Sequence, residues 1–243
     1  MRFIVMHKVD AKMEAGAPPN QKIIADMGAL VQESLKSGVF ENGAGLHPSR
    51  SRARIRRANG KSSLEKGPYA GDQELIASVA MISARSMDAA LDHASRFVET
   101  LGSDAALEVG PVVEPWDLGI MPKPEGKRPE RFLFLCKASA SSERGEHPSA
   151  RAIAETLADV MGDEGAVLAV EALAPSAKGA RLPSAATAKR TWVDGPFAES
   201  KELIAGFSIL NLPTREAALA WADRYAAVLG DNEVDVIELR DRG

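Results

Sequence analysis

The chain repeats itself, and the repeat limits what it can fold into. RFIVMHK at 2–8 returns as RFLFLCK at 131–137, and SGVFENGAGLHPS at 37–49 as EGAVLAVEALAPS at 164–176. KGPYAGDQELIASVAMI at 66–82 returns as DGPFAESKELIAGFSIL at 194–210, and SMDAALDHASRF at 86–97 as TREAALAWADRY at 214–225. The offset stays between 127 and 129 through all four blocks, which marks a duplicated domain and not a short solenoid repeat. Two domains follow, 1–114 and 131–243, joined by the Pro- and charge-rich PWDLGIMPKPEGKRPE at 115–130.

Both copies read the same way. A short strand (2–8, 131–137) precedes an amphipathic helix, which carries Ile23, Ile24, Met27, Leu30, Val31 and Leu35 on one face in the first copy and ends at Gly38. The matching helix spans about 149–164 and stops at Gly165. Strands are expected near 39–46 and 52–58, and near 166–173 and 186–193. A Gly-Pro turn, an apolar strand (LIASVAMI, LIAGFSIL), a helix capped by Ser86 or Thr214 and ending at Gly102 or Gly230, and a last strand complete each copy. The order is ferredoxin-like, βαββ(β)αβ, in the α+β class. Several strands are apolar on both faces, so each sheet needs a second partner besides its helices. The other copy supplies it: two repeats packed sheet to sheet form an intrachain dimeric α+β barrel.

Composition narrows the functional classes. The net charge of −4 argues against general nucleic-acid binding. One cysteine, Cys136, allows no internal disulfide, and it reads as a core residue in a reducing compartment. No apolar run reaches membrane-spanning length, so a cytoplasmic protein is expected. No P-loop, dinucleotide fingerprint, HExxH or paired CxxC occurs, and neither cofactor nor metal is expected.

Comparison of the copies sorts the charged residues. Gly67-Pro68-Tyr69 matches Gly195-Pro196-Phe197, and Glu74 matches Glu202, so this core of the turn is shared. Asp194, Glu199 and Lys201 stand opposite Lys66, Gly71 and Gln73 and belong to the second copy alone. Conversely His7 and His47 in the first copy face Cys136 and Ala174. Imidazole and carboxylate are the usual proton-transfer pair, which makes His7, His47, Asp194 and Glu199 the catalytic candidates. Tyr69, Phe197, Lys201, Glu202 and Arg54 are the candidates for contact with a ligand. Arg50, Arg52, Arg54 and Arg56 alternate, as on one face of a strand; they read as a solvated edge strand or as a clamp for an anion. His93 and His147 read as surface residues.

VDGPFAESKELIAGFSIL resembles the signature of the YCII-related, or DGPF-domain, family, and KGPYAGDQELIASVAMI fits its skeleton. The resemblance spans both copies. It implies the dimeric α+β barrel fold, shared in shape with muconolactone isomerase. It also implies either isomerase- or lyase-like proton transfer on a small organic anion or a non-enzymatic binding or regulatory module, the latter linked to extracytoplasmic-function sigma factors. A degenerate duplicate kept for oligomerisation is the third alternative. A monomer and a homodimer of the two-repeat chain are both compatible with the duplication.

Overall fold

The computed structural model describes residues 1–71, 74–102, 104–184, 190–197, 203–230 and 232–241. In the first repeat these form β1 (Arg2–Lys8), α1 (Ala11–Glu14), α2 (Gln21–Lys36), β2 (Phe40–Leu46), β3 (Ala53–Ala58), β4 (Lys61–Lys66), β5 (Ile76–Ala84), α3 (Met87–Thr100) and β6 (Ala105–Val113). The second contributes β7 (Glu130–Lys137), α4 (Ala140–Glu143), α5 (Ala150–Met161), β8 (Gly165–Ala172), β9 (Gly179–Leu182), β10 (Val193–Asp194), β11 (Ile204–Asn211), α6 (Arg215–Leu229) and β12 (Val234–Glu238). The chain is α+β, with its twelve strands in one large antiparallel sheet.

Side-chain caps set the helix starts. Asn20, Ser86, Ser149 and Thr214 each accept a hydrogen bond from a backbone N–H in the first turn. Gly38, Gly102 and Gly230 take positive φ at the ends. In the second repeat the helix stops at Gly162, which takes φ 53°, three residues before the expected Gly165; Gly165 already opens β8. The strand expected at 186–193 is displaced too. Arg54 aligns with Arg181, so β3 corresponds to β9 at Gly179–Leu182, and of the described part of the expected span only Val193, which opens β10, is strand. Residues 186–189 of that span lie outside the described ones.

Strand pairing cuts across the repeats. β1 lies between β11 and β12, both from the second repeat, and β11 in turn pairs with β2. In the other half β7 lies between β5 and β6, both from the first repeat, and β5 pairs with β8. Each half of the sheet thus has the ferredoxin-like order last-first-third-second, built from the opening β-α-β of one repeat and the closing β-α-β of the other. Short contacts join the halves at equivalent places. Gly45 and Leu46 of β2 pair with Val113 and Val112 of β6. Leu173, just past β8, bridges Leu239, while Ala174 N–H donates to Glu238 O and Arg240 N–H to Ala172 O, both at 2.9 Å.

Three apolar clusters follow from strand alternation. Phe3 and Val5 of β1 pack on Leu30 of α2 and on Trp221, Ala222 and Tyr225 of α6. Phe132 and Phe134 of β7 pack on Phe97 of α3 and on Ile153 and Leu157 of α5. The opposite parity fills the third cluster, where Ile4, Met6, Phe207 and Ile209 share one core with Val79, Met81, Leu133 and Leu135. At about 1.5–3 kcal/mol for each fully buried large apolar side chain, this shared layer is a major hold between the halves. It leaves a void of only about 10 Å³ beside Met81, Phe207 and Glu171, room for roughly one water.

Because neither repeat owns a complete half-sheet, nicking the loop between them leaves the fold intact. Limited proteolysis at the exposed Lys123–Arg128 segment is expected to give two fragments that co-elute at the size of the intact 25.8 kDa chain and part only in denaturant. Separation under native conditions contradicts this pairing.

Candidate functional site

The Gly-Pro-aromatic turn explains itself once its neighbours are seen. Gly67 N–H donates to Arg52 O at 3.0 Å, and a Cβ on Gly67 would lie 1.8 Å from Ser49 O. The second repeat repeats this: Gly195 N–H donates to Gly179 O at 3.1 Å, and its Cβ would lie 1.9 Å from Ser176 O. Both following Gly-Pro bonds are cis. Tyr69 N–H and Phe197 N–H then reach Ser49 Oγ and Ser176 Oγ at 3.3 and 3.1 Å, and Glu14 and Glu143 accept hydrogen bonds from those serines. The turn thereby lays the Tyr69 ring against the Arg54 guanidinium, 4.3 Å from its centroid, and the Phe197 ring against Arg181, at 4.4 Å.

Those arginines belong to two buried ionic clusters. In the first, Arg54 reaches Glu74 at 2.7 Å and Glu108 at 3.3 Å, Arg52 reaches Glu108 at 2.9 Å, and Lys137 reaches Glu108 at 3.1 Å and pairs also with Glu74. Arg52, Arg54 and Glu108 are at most 2 % exposed. Burial alone would raise the Glu108 pKa, but Lys137 and Arg52 outweigh it and pull the carboxyl down to about 2. The second cluster pairs Lys8 with Asp235 at 3.0 Å, and Arg181 with Asp235 at 2.6 Å and Glu233 at 3.3 Å. Each lysine crosses to the other repeat's carboxylate.

Arg52 is held on most of its guanidinium. Its Nε donates to His47 O at 2.6 Å, and its Nη1 to Glu108 and, across to the other half-sheet, to Ile204 O at 2.8 Å. Its Nη2 is buried with no protein partner, and so is the Tyr69 hydroxyl. Burial, reinforced by Glu108, pushes the Tyr69 pKa far up, so this hydroxyl keeps its proton. The cluster therefore presents two donors without a protein partner.

The sequence-derived candidates fall elsewhere. His7 points into the helix layer, its Nδ1 2.7 Å from the Tyr225 hydroxyl, with Tyr225 stacked on Trp221. Burial lowers its pKa to about 4. His47 Nε2 lies 3.2 Å from Asp117 of the inter-repeat loop, and Asp194 is 75 % exposed and paired with Arg215. No contact joins His7, His47 and Asp194 among the described residues. Glu199, Lys201 and Glu202 lie outside the described residues. Tyr69, Phe197 and Arg54 do sit at the clusters. Glu108, Lys137, Lys8, Arg181 and Asp235 were missed, Arg52 was singled out only as one of the alternating arginines and Glu74 only as the counterpart of Glu202, although Lys8/Lys137, Arg54/Arg181 and Glu108/Asp235 are charges kept by both copies.

Three other expectations are corrected. The arginines of β3 do not form a solvated edge, because β3 lies between β4 and β6 and the alternate face turns inward. His93 is fully buried, because its face of α3 packs near Gly165 and Met161. Arg96 stands 2.8 Å from its Nδ1 and 2.9 Å from Asp92, filling with a guanidinium the space that Asp92, His93 and Glu164 would offer a metal ion. His147 is half-buried, its Nε2 3.0 Å from Ser78 Oγ, and burial lowers its pKa to about 4. Cys136 is buried as expected, which pushes its thiol up to about 11.

The fold and clusters define a duplicated, ferredoxin-like α+β protein with a buried charge cluster beside each Gly-Pro-aromatic turn. The YCII-related domain model matches residues 1–112 and 131–240, and the chain belongs to that family as a tandem duplication. No curated protein and no solved structure matches it. No helix of the described residues is long and apolar enough to cross a membrane.

Two measurements check this account. Gly67→Ala should cost about 3 kcal/mol, because the clash is with backbone; urea unfolding reads it. The folded His7 binds a proton only near pH 4, whereas the unfolded one does so near 6.5. Stability therefore falls as pH drops through that interval, by up to about 3 kcal/mol from His7. His7→Gln should flatten the fall of melting temperature between pH 7 and 4, leaving the part due to His147.

Proposed function

We propose that the protein binds a small organic anion at the Arg52–Tyr69 end of the first cluster, within a fold that we read as an intrachain dimeric α+β barrel. The barrel reading is supported by the symmetric contacts of β2 with β6 and of the β8 end with β12, and by the apolar layer that both halves share. The observation that carries the binding reading is the pair of buried, unpartnered donors, Arg52 Nη2 and Tyr69 Oη, beside the first ionic cluster. A buried donor without an acceptor costs about 1–3 kcal/mol, a cost that an anionic acceptor relieves. A carboxylate fits this chemistry: it accepts from a guanidinium and a phenol.

Binding is favoured over proton transfer. Glu108 stays ionised down to about pH 2, and Tyr69 keeps its proton, so neither exchanges one near neutrality. His7 is buried in the helix layer with its Nδ1 against the Tyr225 hydroxyl. A thermal-shift series with small carboxylates, from acetate to benzoate and muconate, is the direct test. Saturating ligand is expected to raise the melting point, at about 2.7 kcal/mol for a concentration a hundred times Kd, with the carboxylate recovered unchanged by NMR. No shift with any of them at millimolar concentration refutes the reading; turnover of one refutes the preference for binding.

A further inference from the structure

The two clusters are built from equivalent positions but are not equivalent. Lys137, Arg54 and Glu108 in the first match Lys8, Arg181 and Asp235 in the second, and both have an aromatic ring against the arginine. The differences fall on the two groups that carry free donors. Arg52 is replaced by Gly179, and Tyr69 by Phe197. The second cluster thus lacks both the extra guanidinium and the hydroxyl. Among its described residues, Lys8 and Arg181 both pair with Asp235, and Arg181 also with Glu233. The space that Arg52 fills in the first repeat has also closed: a Cβ at Gly179 would come within 3.1–3.2 Å of Ile237, Val236 O and Ser176 O.

We infer that the duplicated chain takes one anion per two repeats. The first cluster is the site for a carboxylate, and the second is an ionic lock that ties β1 to β9 and β12 and takes no ligand. Arg52 and Tyr69 are the residues that decide this. Arg52 contributes a donor fixed by His47 O, Glu108 and Ile204 O, so its rotamer freedom is already spent before the ligand arrives. Tyr69 contributes a hydroxyl whose removal leaves the ring packing untouched. The inference rests on the anion reading above and adds to it a stoichiometry and the residues that set it.

Crystals of the full chain soaked in sodium bromide and in 4-bromobenzoate locate the anion by bromine anomalous scattering, and calorimetry with 4-bromobenzoate counts it in solution. One peak per chain at Arg52 and Tyr69, a stoichiometry near one, and a roughly tenfold weaker Kd in Tyr69→Phe are expected, the last from loss of one charge-assisted hydrogen bond. Phe197→Tyr, the mirror change in the second cluster, should leave the Kd and the count unaltered. A second peak at Arg181, a stoichiometry of two, or an unchanged Kd in Tyr69→Phe overturns the division of labour and leaves the anion reading standing. No peak and no heat with either probe overturns the anion reading and this inference together.

Discussion

The strand Arg2–Lys8 has both of its hydrogen-bonding neighbours in the other repeat, and so does Glu130–Lys137. Everything else in the molecule depends on that exchange. A four-strand core with an opening β-α-β from one copy and a closing β-α-β from the other leaves no repeat able to satisfy its own backbone. The two covalent copies are thus one cooperative unit in hydrogen bonding, whatever the sequence boundaries between them. The loop at 115–130 is a tether, and even it is pinned, with Asp117 against His47 and Glu114 bonded to Arg131.

The ionic clusters use the same exchange. Lys137 ends a strand of the second repeat and meets Glu74 and Glu108 of the first; Lys8 ends a strand of the first and meets Asp235 of the second. Burying these charges is costly, and pairing offsets the cost only when every partner is in place. A cluster assembled from both repeats therefore penalises any arrangement in which the repeats are mismatched. At Asp235, which meets both Lys8 and Arg181, the cluster acts as a fastener. At Arg52 and Tyr69 a guanidinium nitrogen and a hydroxyl are left over, and these are the donors proposed to take an anion.

Much of the fold was legible because apolar period and duplication leave strong marks. The helix caps at Ser86 and Thr214 and the strands LIASVAMI and LIAGFSIL stand in the sequence as they do in space. The swap of halves was not legible, because equivalent strands of the two copies carry the same pattern and either could pair with either. The site was half legible. Tyr69, Phe197 and Arg54 were picked out, but His7, His47 and Asp194 drew attention as the residues that differ between copies, whereas the ionic clusters lie where charges are shared. Glu108 in LEVG and Asp235 in VDVI are carboxylates inside apolar runs, and Lys8 and Lys137 close apolar strands. A charge kept twice in a setting that should reject it is the signal that comparison of the copies contained.

Fusion of the copies also changes what the second cluster is free to become. In a dimer of identical chains every substitution appears at both sites, so a residue needed for ligand binding at one must be tolerated at the other. Within one chain the two positions vary independently. Arg52 and Tyr69 can retain donors that cost stability when unoccupied, while Gly179 and Phe197 lack those donors and Gly179 lets the second cluster pack closely. On this view the divergence at these two positions is what the duplication permits, and the preserved lysine–carboxylate pairs are what the exchanged strands require.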